Sequence, residues 1–365
     1  MLRELARILR LAREVRMRTG KGRLEQFLEV LRLRLSACAL GATEYYDLCL
    51  FDDDLYSATA KRSFIGRRFS TCLDQRLNEN GSRILANDKI VNYALLARLG
   101  FPIPRTYATF NKKGRFIGDE ERLTTLDQVR GFLRSEARYP LFVKPVCGTY
   151  GRGALGISEY LAGSDQVRLL DGSLTSTDTL LADFQFGPYD GKLFQEVLTS
   201  HSEIAAITGP RISCVRMIVV VVDMTPRLHT AFWKIAVGTN MTDNSSLGKK
   251  GNLLAAIDLR SGQIGHVIGG LGPSSEPVTS HPTTGRTLRG FALPHWNRVT
   301  SLCLEVAPHF PGLRLQNWDV AICQDGPVLM ELNTEADLGV PQAVTRVGML
   351  DDLMFEVLRQ SAKGR

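Results

Sequence analysis

Residues 142–157, FVKPVCGTYGRGALGI, carry Lys144 on a short apolar run and follow it with Gly148, Gly151 and Gly153. Glycines so spaced allow a tight loop whose backbone N–H groups approach phosphate oxygens, and a lysine ammonium adds a point charge for the same oxygens. The arrangement is not a P-loop, because the lysine precedes the glycines and no Lys-Ser/Thr follows them. Nor does its spacing fit a dinucleotide-binding turn. Taken alone, the segment is equally explained by a glycine-rich hairpin without a ligand.

A second constellation lies in WDVAICQDGPVLMELN, residues 318–333, where two apolar runs flank Gln324-Asp325-Gly326. This reads as a β-hairpin with glycine in the left-handed position. Glu331 and Asn333 are two apart and share a strand face. A three-residue loop puts Asp319 opposite Glu331, so that three oxygen ligands converge as a hard cation such as Mg2+ requires. A two-residue loop would slip the register and turn Asp319 to the other face. The alternative is a surface hairpin whose outer face is acidic.

Two further patterns place charge inside apolar runs. LFQEVL, residues 193–198, holds Gln195 and Glu196, with Glu203 a few residues on. A buried carboxylate needs a partner, which an adenine amino group or ribose hydroxyls would supply; an edge strand with a solvated glutamate fits almost as well. Arg216 in SCVRMIVVVV and Lys234 in TAFWKIAVG are isolated cations in strand-like runs. Such a charge is expensive unless paired or met by an anionic ligand. Salt bridges would satisfy both, but Lys89, Lys144, Arg216 and Lys234 could also surround one triphosphate beside one acidic metal patch.

The elements that must position these residues are mostly strands. Runs rich in Val, Ile and Phe predict strands over 141–146, 193–197, 215–222, 231–237, 253–257, 319–323 and 328–332. Helices are expected over 126–134 and 296–307, and Asn87-Asp88 offers an N-cap to a helix with Val91, Leu95 and Leu99 on one face, stopped by Gly100 and Pro102. Many strands, few helices and hairpin turns predict an α+β fold on antiparallel sheets. At 365 residues the length suits two domains plus an extra segment.

Charge is concentrated at one end. Residues 1–34 hold ten Lys and Arg against four Glu, so +6 of the net +7 lies there. The rest is near neutral, which argues against nucleic-acid binding. Leu5, Ile8, Leu9, Ala12, Val15 and Met17 recur at helical spacing with arginines on the other side. That predicts a basic helix over 1–18, followed by a break at residues 19–22 and a second helix over 24–38. The first helix either packs on the body with a solvated basic face or attaches to an anionic membrane surface or acidic partner. No run reaches the ~20 apolar residues that span a bilayer, charges interrupt any secretory core, and seven scattered cysteines without a CxxC indicate neither disulfides nor zinc. These features predict a cytoplasmic protein, with the inner membrane surface as a peripheral attachment site.

In their order along the chain, Asp88-Lys89, Lys144 with its glycine loop, Glu196, Arg216 and Asp319…Glu331-x-Asn333 resemble the ATP-grasp superfamily. More narrowly the chain resembles the sugar-transfer-associated ATP-grasp family, teichuronopeptide-synthesis-like. The residues behind that are Glu44-Tyr45-Tyr46, Leu77-Asn78, Asp243-Asn244, Gly251-Asn252, Ile257-Asp258, His281-Pro282-Thr283-Thr284-Gly285 and Leu293-Pro294-His295-Trp296. The resemblance spans about residues 40–350; one departure is Asn252, where the family often has a second glycine.

The resemblance implies an ATP-grasp fold: a helical region over 1–85, a small lid subdomain over 86–195 and a large subdomain over 196–365, the two α+β subdomains gripping ATP. It further implies two Mg2+ ions, with Mn2+ as a substitute, on Asp319, Glu331 and Asn333. Lys89 and Lys144 would hold the α- and β-phosphates, and the loop Gly148, Thr149, Gly151, Arg152, Gly153 would close over them. Gln195, Glu196, Val197 and Leu198 would cradle adenine, with Glu203 near the ribose. A carboxylate would attack the γ-phosphate to give an acyl phosphate, Arg216 and Lys234 would neutralise the developing charge, and an amine would displace phosphate to form an amide. The partners implied are a small-molecule or glycan carboxylate and an amine, with Asn244, His281 and His295 as acceptor contacts. A hydroxyl kinase and a non-catalytic nucleotide-binding scaffold in polysaccharide assembly are the competing readings; retention of all three metal ligands argues against the scaffold. Oligomeric state leaves no mark in the sequence.

Overall fold

The computed structural model describes residues 2–36, 39–116, 118–148, 151–187, 190–238, 251–335 and 337–363. Thr149 and Asn244 lie outside the described residues.

The chain opens with helices α1 (Leu2–Thr19) and α2 (Arg23–Leu35), separated at Gly20, whose φ of 77° only glycine adopts without strain. Helices α3 (Ala42–Asp47), α4 (Ala58–Lys61), α5 (Arg67–Leu77), α6 (Ile84–Asn87) and α7 (Lys89–Arg98) follow. The face of α1 that packs is Leu11, Ala12 and Val15, whereas Leu5, Leu9 and Met17 are exposed. The apolar stripe expected on α1 therefore exceeds the contact available to it, and Leu11 replaces Leu9 in the core. On α7 the buried face is Lys89, Ile90, Tyr93 and Leu96 rather than Val91, Leu95 and Leu99. Periodicity gave the helix but not its rotation, because the side facing the sheets carries polar groups that the site uses.

The first sheet comprises β1 (Thr106–Asn111), β2 (Glu121–Leu123), β3 (Leu141–Pro145), β4 (Leu155–Leu161), β5 (Gln166–Leu169), β6 (Leu174–Ser176) and β7 (Gly191–Glu196). Its order is β2-β1-β7-β3-β4-β5-β6, antiparallel except for the parallel β1–β2 pair. Helices α8 (Leu126–Gly131) and α9 (Thr177–Phe186) cover one face, burying Val129, Phe132, Leu181 and Phe184 against Phe110, Val143 and Phe194.

Helix α10 (Ser202–Thr208) leads to the second sheet: β8 (Val215–Val222), β9 (Thr225–Ile235), β10 (Leu253–Ile257), β11 (Ile264–Gly269), β12 (Glu276–Pro277), then, after α11 (Trp296–Val306), β13 (Leu315–Cys323) and β14 (Gly326–Asn333). The order is β12-β11-β10-β9-β8-β13-β14, antiparallel throughout. Helices α12 (Gly339–Thr345) and α13 (Asp352–Lys363) close the described chain. Both faces of β8 are buried: Val215, Met217, Val219 and Val221 join the core with Trp233, Trp318 and α11, while Ile218, Val220 and Val222 join Val15, Tyr45 and Met354. A strand covered on both sides reads as the continuous apolar run seen in the sequence. The fold is mixed α+β, with two sheets and a helical N-terminal segment.

The hairpin of β13 and β14 departs from expectation in one respect. Cys323 pairs with Gly326, so the loop has two residues, Gln324 and Asp325. A regular ladder from that turn would have put Asp319 on the wrong face. Instead the register shifts between Asp319 and Val320, with Val320 opposite Leu329 and Asp319 opposite Glu331. Met330 is the extra residue, a β-bulge that restores the register the site needs.

Candidate active site

One cavity between the two sheets is lined by Lys89, Lys144, Gly148, Gly151, Arg152, Gln195, Glu196, Val197, Leu198, Lys234, Asp319 and Glu331. Each arrives by a separate local device. Lys89 is the first residue of α7, whose N-cap Asp88 accepts from the Ile90 and Val91 amides. Lys144 stands on β3, between β7 and β4. Gly151 and Gly153 have φ of 65° and 70°, a left-handed bend that side chains oppose. Asp319 pairs directly with Arg216 of β8 on one side and Glu331 of β14 on the other.

Most charges of this cavity are paired with one another. Lys89 Nζ lies 2.8 Å from Glu331 and 3.2 Å from the Gly148 carbonyl. Arg216 donates twice to Asp319, one contact being 2.9 Å, and Lys234 Nζ stands 3.1 Å from the same carboxylate. Burial would raise the Asp319 carboxyl, but Arg216 and Lys234 outweigh it and hold the group below the usual carboxylate range. Lys144 is different. Its ammonium donates to the Tyr93 hydroxyl and lies 4.8 Å from that ring's centroid, with no carboxylate in salt-bridge contact among the described residues. Burial therefore pulls it down to about 8, against the opposing pull of Glu331, Cys214 and Asp319.

Tyr93 escaped the sequence reading, although its i, i+4 spacing from Lys89 put it on the same helical face. Its hydroxyl accepts from Lys144 and donates to the Met330 carbonyl at 2.6 Å. The tyrosine so joins Lys144 to the bulge that sets the register of Asp319 against Glu331. Burial pushes its own phenol upward, which keeps the proton available for donation. Phe142, Leu170, Ile212 and Met330 supply apolar walls that the sequence did not single out.

Other candidates sit at the margin or elsewhere. Arg216 and Asn333 do not line the cavity; Arg216 reaches it through Asp319, and Asn333 lies opposite Asn317. Gly153 contributes its carbonyl to Lys192 at 3.3 Å. Glu196 accepts from the Arg105 amide at 2.7 Å. Glu203 is an exposed residue in the first turn of α10, outside the cavity lining. His281 is buried, with Nε2 donating to the Ala236 carbonyl at 3.0 Å and Nδ1 facing the Thr284 amide, so it braces its own loop. His295 adopts φ 55° at the start of α11, contacts the Gln324 carbonyl and stacks edge-on against His201. Neither histidine lines the cavity.

The donors present suit both groups the sequence anticipates. Asp319, Glu331 and Asn333 offer oxygen, the ligand type that Mg2+ prefers over nitrogen or sulfur. Five buried side-chain polar atoms among the described residues have no hydrogen-bond partner, and one of them, Gln195 Oε1, belongs to a residue of the cavity lining. Buried polar atoms are ordinarily satisfied, so this carbonyl oxygen is an acceptor open to a ligand's donor in the cavity.

The chain belongs to the sugar-transfer-associated ATP-grasp family, whose profile matches residues 68–355. No curated protein matches it. Among solved structures it is similar to the VanG D-Ala:D-Ser ligase from Enterococcus faecalis, at 13% identity over 77% of this chain and 64% of that one, TM-score 0.43. The D-alanine-D-alanine ligase from Coxiella burnetii aligns at 11% identity over 79% of this chain and 61% of that one, TM-score 0.44. The ATP-grasp ligase PsnB complexed with minimal precursor aligns at 18% identity over 78% of this chain and 64% of that one, TM-score 0.40. The chain spans less than two thirds of the length of each.

Proposed function

We propose that the protein is an ATP-dependent carboxylate–amine ligase that forms an amide through an acyl phosphate, acting in the cytoplasm. The observation that carries this reading is the convergence of Lys89, Lys144 and Lys234 with Asp319 and Glu331 in one cavity, backed by Arg216. In that arrangement Lys89 and Lys144 bind the α- and β-phosphates, and the loop from Gly148 to Gly153, with Arg152, covers them. The hinge at Gln195 to Leu198 receives the base against Phe142 and Met330, and Gln195 Oε1 gains a partner there. Asp319, Glu331 and Asn333 would hold Mg2+, whose charge would offset that of the phosphates.

A substrate carboxylate oxygen attacks the γ-phosphorus, and the bond to the bridging oxygen breaks to release ADP. Lys234 and Arg216 offset the charge that develops on the transferred group. An amine then attacks the acyl carbon, and inorganic phosphate leaves with the original carboxylate oxygen. The carboxylate belongs to a uronic-acid glycan, a sugar precursor or an amino acid, in keeping with the family's association with sugar transfer. The test is incubation with MgATP, hydroxylamine and a panel of such carboxylates, with E331Q as control. Hydroxamate together with ADP for one carboxylate class is the expected result. ADP produced on a hydroxyl acceptor without hydroxamate would make the protein a kinase instead.

A further inference from the structure

Helix α2 is apolar on two sides. Its inner side buries Leu33 and Gln26 against the helical core. Its outer side presents Leu24, Phe27, Leu28, Leu31 and Leu35, at spacing i, i+3, i+4, i+7 and i+11, with exposures of 71, 62, 41, 42 and 79%. Those positions form one unbroken helical stripe, and nothing among the described residues covers it. On α1, Leu5 and Leu9 are more than half exposed as well. Scattered apolar side chains on a surface are ordinary, but a contiguous stripe of large ones marks an interaction face.

The charges around the stripe identify its counterpart. Arg23, Arg32 and Arg34 flank it on α2, and Arg10, Arg13 and Arg16 stand on α1; all six are exposed and none forms an ion pair among the described residues. By contrast, Lys21 and the buried Lys61 are consumed in ion pairs with Glu29 and Asp53. The basic excess of residues 1–34 is therefore directed outward beside an apolar helix face. An apolar stripe rimmed with arginine is the composition of a helix lying in the plane of a lipid interface. A second copy would bring the same positive segment against this one, and like charges at close range oppose that association.

We propose that α2 docks on an anionic lipid surface, its Leu24–Leu35 stripe entering the acyl boundary and the surrounding arginines meeting lipid phosphates. The assignment moves the attachment face from the expected stripe on α1, part of which is consumed in the core, to α2. Attachment is peripheral, since no helix among the described residues is long and apolar enough to cross a membrane.

Cosedimentation of the full chain with phosphatidylcholine vesicles, with and without one third phosphatidylglycerol, tests this. Binding to the anionic vesicles should exceed binding to neutral ones by about tenfold or more, and fall steeply as salt rises. The F27S/L31S variant should lose about tenfold or more of that binding while keeping its circular dichroism and its nucleotide affinity. R32Q/R34Q should lose the preference for anionic lipid and keep the fold. Equal binding to both vesicle types, or F27S/L31S binding like the parent, would overturn the proposal. So would a lipid-free dimer that F27S/L31S abolishes, or capture by a protein partner with no vesicle binding. Because nucleotide affinity is read separately, these outcomes are independent of the ligase reading.

Discussion

Burial holds Lys144 near 8, so ATP binding beside it, as proposed above, should be a proton-linked event. In the ligand-free protein the group is half charged at about pH 8. Phosphate oxygens arriving beside it favour the ammonium, so binding draws in the missing proton. The expected uptake is about a tenth of a proton at pH 7, about half at pH 8 and about nine tenths at pH 9. Affinity for ATP should accordingly fall above pH 8, approaching about tenfold per pH unit. Titration calorimetry in buffers of different ionisation enthalpy reads the uptake directly, at pH values above the ~6 second ionisation of a phosphate ester. K144M should bind more weakly and show no uptake at pH 8. Unchanged proton linkage in K144M, or none in the parent, would refute the reasoning. The same depression has a stability consequence of definite sign. Between about pH 8 and the ordinary lysine value of 10.5 the unfolded chain binds more protons than the folded one, so the destabilising effect of the buried ammonium is full below pH 8 and relieved as pH rises through that window.

Replacing Asp319 by Asn leaves Arg216 and the buried Lys234 without their shared carboxylate; unfolding free energy should drop by about 3–5 kcal/mol, with partial recovery in D319N/K234M, and an unchanged melting curve would contradict this. Because that carboxyl is held low in the folded state, its contribution is present near neutrality and lost as pH falls through the acidic range, so D319N should show a flatter acid limb than the parent. Y93F removes both the Met330 carbonyl's donor and Lys144's acceptor, which should cost about 1–3 kcal/mol and raise the KM for ATP, checked by melts and initial rates. At Gly191 a Cβ would sit 2.5 Å from the Phe110 carbonyl, whereas at Gly81 nothing lies within 4 Å. G191A should therefore destabilise by about 1–3 kcal/mol while G81A stays within about 0.5 kcal/mol, measured by denaturant unfolding.

The parts of the site legible in the sequence were those where a charge stands out from an apolar run. Lys234 and Asp319 meet in the cavity as an ion pair, Glu331 joins them paired with Lys89, and Lys144 stands beside them on the Tyr93 hydroxyl. Relations that depend on rotation or register were not legible. Tyr93 lies off the Val91, Leu95 and Leu99 stripe, and only the packing of α7 shows that its hydroxyl bridges Lys144 and Met330. The Met330 bulge left no sequence signal: the turn is shorter than expected, and the extra residue sits five positions after Asp325. Strands β4, β5 and β6 went unseen because charges such as Glu159 and Arg168 break their apolar alternation, and they are held by ladders to neighbours already in place. The apolar positions of α2 fall on two opposite sides of the helix, and the sequence does not say which side meets the core; the structure buries Leu33 and leaves Leu24, Phe27, Leu28, Leu31 and Leu35 exposed.

The most direct test of the central claim follows oxygen. A carboxylate substrate labelled with 18O in its carboxyl group, incubated with MgATP and an acceptor amine, should deliver one labelled oxygen to the inorganic phosphate for every amide formed. Phosphate released without the label would show that ATP is cleaved without activating the carboxylate, and the ligase account would fail.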